Sequence, residues 1–224
     1  MDSGFILIDK PLNMSSHGVV YHLRRLSGIK KIGHAGTLDP KASGLMILAV
    51  DRSATKNISQ FVKMDKEYEA EICLGVTTET YDREGKVLSE YHGEKLDKET
   101  VTKAVEHFLG EQEQLPPMYS AKKVNGQKLC DLARKGRDIE RPRQKITIYD
   151  LEILDYSWPM LKLRVKCSSG TYIRTLAYDL GNFLGVGAYL FELRRTKIGD
   201  FAIDQAVELD KLDDSNWQAR LFAV

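Results

Sequence analysis

The segment KEYEAEICLG, residues 66–75, alternates apolar and polar side chains, and this alternation strongly constrains what the chain can fold into. Tyr68, Ala70, Ile72 and Leu74 occupy every second position, with three glutamates and Cys73 between or beside them. Successive side chains of a β-strand point to opposite faces, so the pattern predicts a half-buried strand with one face in the core.

Other strand and helix patterns follow one another without the regular order of βαβ units. Apolar residues at helical spacing predict helices over about 16–28, 54–62, 97–110 and 171–185. Strand patterns cover residues 4–10, 45–50, 144–157, 161–168 and 188–199, and a closing helix is expected within 210–224. This irregular mixture favours the α+β class.

The 224 residues, 42% of them hydrophobic, suffice for one compact domain, and we predict a single domain over residues 1–224. The longest apolar run, residues 45–50, is far shorter than the roughly 20 residues of a membrane span. The first residues lack the order of a signal peptide, so we expect a cytoplasmic protein with no membrane partner. Three scattered cysteines indicate neither a disulfide framework nor a metal site.

Charge is nearly balanced overall but unevenly distributed. The formal net charge is +1, yet residues 122–145 hold nine lysines or arginines against three acidic residues, while residues 65–113 hold six against fourteen. Asn125 and Gly126 predict a turn inside the basic segment, which we expect to protrude as a hairpin and a short helix. Such a segment is either a solvated surface or one that follows the phosphates of a nucleic acid.

Residues 33–44, GHAGTLDPKASG, place His34 and Asp39 among three glycines and predict a loop. In one interpretation, Asp39 caps a short helical turn whose first residue is Pro40. In the other, the glycines let the backbone approach a ligand, and the loop presents Asp39 as a nucleophile or base. The segment has neither the glycine-lysine pattern of a phosphate loop nor the spacing of cation ligands.

The loop and several other segments resemble the motifs of the bacterial TruB family of tRNA pseudouridine synthases. The matching segments are LIDKP (7–11), KEY (66–68), TETYDREG (78–85), PPMYSAKKVNGQKLCDLARKG (116–136), SSGTYIRTLAYDLG (168–181) and LRR (193–195). They occur in the family's order and approximate spacing, and the resemblance covers about residues 4–200.

The resemblance implies a pseudouridine synthase fold with a mixed, largely antiparallel central sheet, flanking helices and an RNA-clasping insertion at about 119–145. It also implies the isomerisation of uridine to pseudouridine at position 55, in the T-loop of tRNA, after the base has been flipped out of its stack. The reaction is redox-neutral, so no cofactor and no metal are expected. Many bacterial members continue into a C-terminal RNA-binding domain of the PUA type, and we expect no such domain here.

Three residues match the family's catalytic positions. Asp39 corresponds to the nucleophile, which attacks either the base or the sugar, and a carboxylate with an ordinary pKa near about 3.9 is already ionised at neutral pH. Arg174 is expected to keep Asp39 charged, because burial raises the pKa of a carboxyl group unless a cation is close. Tyr68 corresponds to the tyrosine that stacks on the uracil and takes part in proton movement, with core packing as its alternative role.

The remaining matches are expected to bind the substrate or to support the site. Asp82 is expected to orient Arg174, or else only to form a turn before Gly85. The other predicted binding residues are Lys10, His34, Tyr172 and Leu193, for each of which a structural role is the alternative. Lys122 and Lys123 of the basic segment are expected to contact tRNA phosphates.

Two other functions fit the same chain. It could be a non-catalytic protein that binds or folds RNA, although the catalytic residues are all present. It could also be a hydrolase that uses Asp39 to release the base, although a pair of acid and base carboxylates is not evident. We expect a monomer that acts on the T-arm of tRNA.

Overall fold

A computed structural model describes residues 3–120, 122–124, 126–137 and 139–223, but not the side chains of Lys123 and Lys128. The strands are β1 (Gly4–Lys10), β2 (Ile32–His34), β3 (Ala42–Val50), β4 (Lys66–Leu74), β5 (Val76–Thr78), β6 (Val87–Glu90), β7 (Gly110–Gln114), β8 (Lys123–Val124), β9 (Gln127–Lys128), β10 (Gln144–Ser157), β11 (Met160–Cys167), β12 (Ala188–Ile198), β13 (Phe201–Ala202) and β14 (Val207–Glu208). The α-helices are α1 (Ser16–Ser27), α2 (Asp51–Asn57), α3 (Ser59–Val62), α4 (Lys98–His107), α5 (Leu129–Ala133) and α6 (Ile173–Phe183).

The chain forms two compact units. The first unit comprises Met1–Tyr68 and Leu193–Val224, and the second comprises Glu69–Glu192. Strands β4 and β12 each contribute residues to both units. The organisation as a single catalytic domain stays a prediction.

The first unit is built on a sheet with the order β14-β1-β3-β12. Strand β3 pairs antiparallel with β1 and parallel with β12, and all nine of its residues are buried. Helix α1 begins because the Ser15 side chain accepts a hydrogen bond from the Gly18 amide, and it ends where Gly28 adopts the left-handed conformation. Val19, Val20 and Leu23 form the buried face of this helix.

The second unit contains the sheet order β4-β11-β10-β7, in which β10 pairs antiparallel with β11 and with β7. Helix α4 begins as predicted at Asp97, whose side chain accepts a hydrogen bond from the Thr100 amide. The basic segment forms the two-stranded hairpin β8–β9 followed by α5, which confirms the predicted hairpin and short helix, although Asn125 of its turn lies outside the described residues.

The structure corrects three local predictions. The predicted helix over residues 54–62 consists of the two short helices α2 and α3. The loop of residues 33–44 is shorter than expected, because β2 extends to His34 and β3 already begins at Ala42. The closing helix is wrong: over the described residues 210–223 the chain forms short 3-10 turns and no α-helix, and Phe222 exchanges backbone hydrogen bonds with Phe5.

The mixture of parallel and antiparallel strands with helices confirms the α+β class. None of the helices in the described ranges is long and apolar enough to cross a membrane. Among the described residues, His, Cys, Asp and Glu side chains form no group of three that could hold a metal ion.

Candidate active site

Asp39 lies in the first unit, in the turn that leads into β3. Its carbonyl oxygen accepts a hydrogen bond of 3.1 Å from the Ala42 amide, so residues 39–42 form a tight turn with Pro40 at its second position. This turn, with Pro40 directly after Asp39, is compatible with both interpretations of Asp39, as the residue that caps the turn and as a residue presented to a ligand. The residue is half-buried, so its carboxylate lies at the boundary between the protein interior and solvent.

The neighbours of Asp39 on both sides are held by buried side chains. Before it, the Ser16 hydroxyl accepts a 2.8 Å hydrogen bond from the Leu38 amide and donates one of 2.9 Å to the Leu38 carbonyl. After it, the Nζ of Lys10 lies 3.5 Å from the Pro40 carbonyl oxygen. The same Nζ donates shorter hydrogen bonds to the carbonyls of Pro11 (2.8 Å) and Met14 (2.7 Å). The Asp39 turn is thus fixed by hydrogen bonds to two separate elements.

Lys10 is buried at the end of β1. Burial lowers the pKa of its ammonium group to about 8, and the charge of Asp39 acts in the opposite direction. The side chain therefore bonds backbone carbonyls near the Asp39 turn rather than facing solvent.

Arg195 connects Tyr68 to the Asp39 loop. Its side chain is only 2% exposed, and its Nε donates a 2.7 Å hydrogen bond to the Leu45 carbonyl in β3. A longer bond of 3.5 Å reaches the Gly36 carbonyl in the loop, and the guanidinium is also hydrogen-bonded to the Tyr68 side chain. Tyr68 itself is buried, on the same face of β4 as Ala70 and Ile72.

Gly44 permits this arrangement. Gly44 lies opposite Arg195 in the parallel pairing of β3 with β12, and its φ angle is 106°, which is unfavourable for other residues. A side chain at this position would overlap the backbone of Arg195. The last glycine of the loop motif therefore has a packing role.

His34 and Leu193 also belong to the first unit. Burial lowers the pKa of His34, and the nearby charge of Arg195 acts in the same direction, so the imidazole is neutral at neutral pH. Its Nδ1 is buried, without a hydrogen-bond partner among the described residues. Leu193 is buried beside Ala42, where β12 pairs with β3.

In the second unit, Arg174 and Asp82 are in direct contact. Nη1 of Arg174 lies 3.3 Å from Oδ2 of Asp82, and both side chains are largely buried. Nη1 also donates to the Thr80 carbonyl (3.3 Å) and Nη2 to the Tyr119 carbonyl (2.7 Å), so the guanidinium joins α6 to two loops. Oδ1 of Asp82 accepts from the Glu84 amide at 3.0 Å, which means that Asp82 forms a turn and pairs with Arg174 as well.

Tyr172 and Lys122 are each tied to a glutamine of the second unit. The buried Gln114 bonds the amide and the carbonyl of Tyr172 at 2.8 and 2.9 Å, which fixes the start of α6. Nζ of Lys122 donates a 2.7 Å bond to the side-chain oxygen of Gln144 at the base of the hairpin. The backbone of Lys123 is part of β8, but its side chain lies outside the described residues.

Of the predicted site residues, the first unit contains Lys10, His34, Asp39, Tyr68 and Leu193, and the second contains Asp82, Tyr172, Arg174 and Lys122. Sequence reasoning missed three buried polar residues that position them: Ser16, Gln114 and Arg195. Arg195 lies in the matched segment LRR and could have been selected there. Ser16 and Gln114 have no distinguishing pattern in the sequence, because their roles depend on contacts with distant backbone groups.

Family models match almost the whole chain. Residues 24–173 match the N-terminal domain of the TruB family of pseudouridylate synthases, and residues 174–222 match the C-terminal domain of tRNA pseudouridylate synthase B. A tRNA pseudouridine synthase B of Clostridium tetani is 46% identical over 96% of this chain and 74% of its own length. Its counterpart from Chlamydia abortus is 47% identical over 95% of this chain and 90% of its own length.

Solved structures agree with these matches. A chain of an H/ACA ribonucleoprotein bound to a substrate RNA that contains 2′-deoxyuridine is 28% identical, with a TM-score of 0.70 over 93% of this chain. A chain of an archaeal box H/ACA complex is 29% identical, with a TM-score of 0.71 over 95% of this chain. The present chain spans about half the length of both, 52% and 53%. The pseudouridine synthase fold and the sequence matches together show that the chain belongs to the TruB family of pseudouridylate synthases, which are isomerases.

Proposed function

We propose that this enzyme, a tRNA pseudouridine synthase by family, converts uridine 55 in the T-loop of tRNA to pseudouridine with Asp39 as its nucleophile. The observation that carries the proposal is the way Asp39 is held. Its half-buried carboxylate lies between two residues, Leu38 and Pro40, whose backbone groups are bonded to Ser16 and Lys10. A nucleophile held in this way loses little freedom when the substrate binds.

The target uridine has to leave its stacked position before a carboxylate can reach it, at a cost of about a few kcal/mol. The buried Tyr68 supplies an aromatic surface for a flipped base, and Leu193 supplies an apolar one. His34 sits beside the flipped base in this proposal and helps to fill the gap that the base leaves in the RNA loop. Within the second unit, Arg174 is oriented by Asp82.

The reaction breaks the bond between ribose and uracil and rejoins the same two groups through carbon. It needs no oxidant or reductant, and no cofactor or metal is part of the proposal. The proposal also includes a monomeric state, a cytoplasmic location and binding of the T-arm by the β8–β9 hairpin of the second unit. Lys122 contributes to RNA binding with a side chain that is already bonded to Gln144, so it also supports the hairpin.

The test is Asp39→Asn, which keeps the shape of the side chain and removes its charge. With a tRNA transcript as substrate, we expect pseudouridine formation to be abolished, while tRNA affinity and the free energy of unfolding stay near the wild-type values. Asp210→Asn, at an exposed aspartate of the same unit, is the matched control. Substantial turnover by Asp39→Asn would rule out Asp39 as the nucleophile.

The same assay separates the alternative functions. Release of free uracil would identify a hydrolase, and RNA binding without either product would identify a non-catalytic RNA-binding protein. A transcript with cytidine at position 55 should receive no pseudouridine from this enzyme, and an isolated T-arm stem-loop should remain a substrate. Modification of the cytidine-55 transcript at another uridine would contradict the proposed position.

A further inference from the structure

The N-terminal part of the first unit carries positive charge that the proposed function does not use. Residues 10–38 contain five lysines or arginines and no aspartate or glutamate. Two of the five are bound internally, since Lys10 donates to three carbonyls and Arg24 donates to the Ile32 carbonyl at 2.9 Å. The other three, Arg25, Lys30 and Lys31, are exposed.

Two residues of α1, His17 and Tyr21, are exposed like these three cations. His17, Tyr21 and Arg25 follow one another at intervals of four residues, so they share one face of the helix, which is exposed. Tyr21 is 59% exposed, a large value for an aromatic side chain. We call His17, Tyr21, Arg25, Lys30 and Lys31 the α1 face. Arg25, Lys30 and Lys31 form no ion pair within the described ranges of the chain.

The α1 face is rigidly connected to the Asp39 turn. Ser16, the first residue of α1, forms both of the hydrogen bonds that hold Leu38 beside Asp39. Lys41, within the turn, donates a 2.8 Å bond to the side chain of Asn13, which lies just before α1. Anything bound along the α1 face is therefore placed at a fixed position relative to Asp39 within this unit.

We propose that the α1 face is a second RNA-contacting surface, which binds the ribose-phosphate backbone of the tRNA substrate outside the nucleotide that is isomerised. The 12 residues of α1 extend over about 18 Å, long enough to follow several phosphates of one strand. Exposed cations without carboxylate partners suit phosphates, and an exposed tyrosine suits stacking on a base. This inference rests on the proposed function, because it assumes a tRNA substrate.

The test compares two triple variants that lose the same charge from the same unit. The first is Arg25→Ala, Lys30→Ala and Lys31→Ala combined, and the control is Arg52→Ala, Lys56→Ala and Lys63→Ala, at exposed cations on α2 and after α3. For each protein, tRNA affinity is measured between about 50 and 200 mM salt, and the single-turnover rate is measured with saturating tRNA.

We expect the α1 triple variant to bind more weakly and to lower the log-log salt slope by about 2 to 3, which corresponds to three lost phosphate contacts. Its rate with saturating tRNA should equal that of the wild type, because the face does not touch the reacting atoms. Tyr21→Ala should weaken binding without changing the slope, since stacking releases no counterions. Equal slopes for the two triple variants would overturn the inference. If the proposed function is wrong, the wild-type enzyme forms no pseudouridine, and this result is distinct from a result that contradicts only the inference about the α1 face.

A different observation, the contacts of Arg195, supports a second inference. We infer that Arg195 is a positioning residue that fixes the Tyr68 side chain and the Asp39 loop relative to each other. Its guanidinium is buried, bonds the carbonyls of Leu45 and Gly36, and contacts the Tyr68 side chain. A lysine at this position keeps the charge but lacks the planar set of donors that reaches all three partners.

The experiment is a double-mutant cycle of Arg195→Lys and Tyr68→Phe, with Arg194→Lys as the control. Arg194 is adjacent in sequence but pairs with Asp9 (Nη2–Oδ2 2.6 Å). We expect Arg195→Lys to lower the single-turnover rate about 10- to 100-fold, because small misplacements of reacting groups have effects of that size. The rate of the double variant should be higher than the product of the two separate losses predicts, because the Tyr68 hydroxyl is one of the groups through which Arg195 acts.

The second inference would be overturned if the rate losses of Arg195→Lys and Tyr68→Phe multiplied fully in the double variant. It would also be overturned if Arg195→Lys lowered the rate no more than Arg194→Lys does. Unchanged activity of both Tyr68→Phe and Asp39→Asn would instead contradict the proposed function. Circular dichroism and urea unfolding of each variant separate a loss of positioning from a loss of folded protein.

Discussion

Two buried arginines, Arg195 in the first unit and Arg174 in the second, are stabilised in different ways. The described partners of Arg195 are two backbone carbonyls and the side chain of Tyr68. Arg174 also bonds two carbonyls, but in addition it pairs with the carboxylate of Asp82. Burial lowers the pKa of Arg195, since its neighbours offer partial rather than full negative charges.

The comparison shows two uses for a buried cation. A guanidinium that bonds only neutral groups joins backbone segments, and removing it leaves carbonyls without donors. The ammonium group of Lys10 has the same role in the first unit. A guanidinium paired with a carboxylate depends on that partner, and removing either one leaves a buried charge uncompensated. The two units should therefore respond differently to the loss of a single polar group.

The largest effect on stability is expected for Asp82→Asn. This change removes the counter-charge of Arg174, and breaking a buried pair in this way costs about 3–5 kcal/mol. Urea unfolding should show a decrease of that order, whereas Glu84→Gln, at an exposed residue of the same turn, should change the free energy of unfolding by less than about 0.5 kcal/mol. A small loss for Asp82→Asn would mean that carbonyl groups alone suffice for Arg174.

Arg174→Lys tests the other half of the pair. A lysine cannot reproduce bonds from Nη1 and Nη2 to separate partners, so we expect turnover to fall about 100-fold, equivalent to about 2.7 kcal/mol. Single-turnover formation of pseudouridine measures it, and Arg164→Lys, at a partly exposed ion pair on β11, is the control. Near-normal rates would reduce Arg174 to a structural residue.

Lys10→Met should cost about 1–3 kcal/mol, because it leaves carbonyls near the Asp39 turn without a donor. The effect should also depend on pH. The pKa of Lys10 is about 8 in the folded protein against an ordinary value of 10.5, so the unfolded chain binds more protons between these values. Wild-type stability therefore rises with pH across this window, and the variant lacks that rise.

Urea unfolding at several pH values between 7.5 and 10.5 measures this difference. The gap between the wild type and Lys10→Met should widen as the pH increases. A constant gap would show that burial does not disfavour the charged form of Lys10.

The smallest effect is expected for Asp179→Asn in the second unit. Burial raises the pKa of Asp179 to about 6, with only partial opposition from Arg143. Between the ordinary value of 3.8 and about 6, the folded protein binds the extra proton, so wild-type stability falls as the pH rises through this range. The variant should be slightly more stable at pH 7, and thermal unfolding at pH 4 and pH 7 should show a smaller change for it than for the wild type.

Much of the fold could be predicted from local patterns. The alternation in KEYEAEICLG corresponds to β4, and the apolar spacing of 171–185 corresponds to α6. Strand β7 was not predicted, because its sequence GEQEQ has no apolar alternation and it becomes a strand only by pairing with β10. The closing helix was wrong for a similar reason, since the bonds between Phe222 and Phe5 override the local helical pattern.

The sequence by itself determined the α+β class, the family and the identities of the expected site residues, because periodicity and motif order are properties of the linear chain. Only the tertiary structure decided how those residues are held. The Asp39 turn is fixed by Ser16 and Lys10, and Tyr68 is bonded to Arg195, a residue from the other end of the chain. Hydrogen bonds to backbone carbonyls leave no pattern in a sequence, since every residue has a carbonyl and only folding brings a particular one within reach.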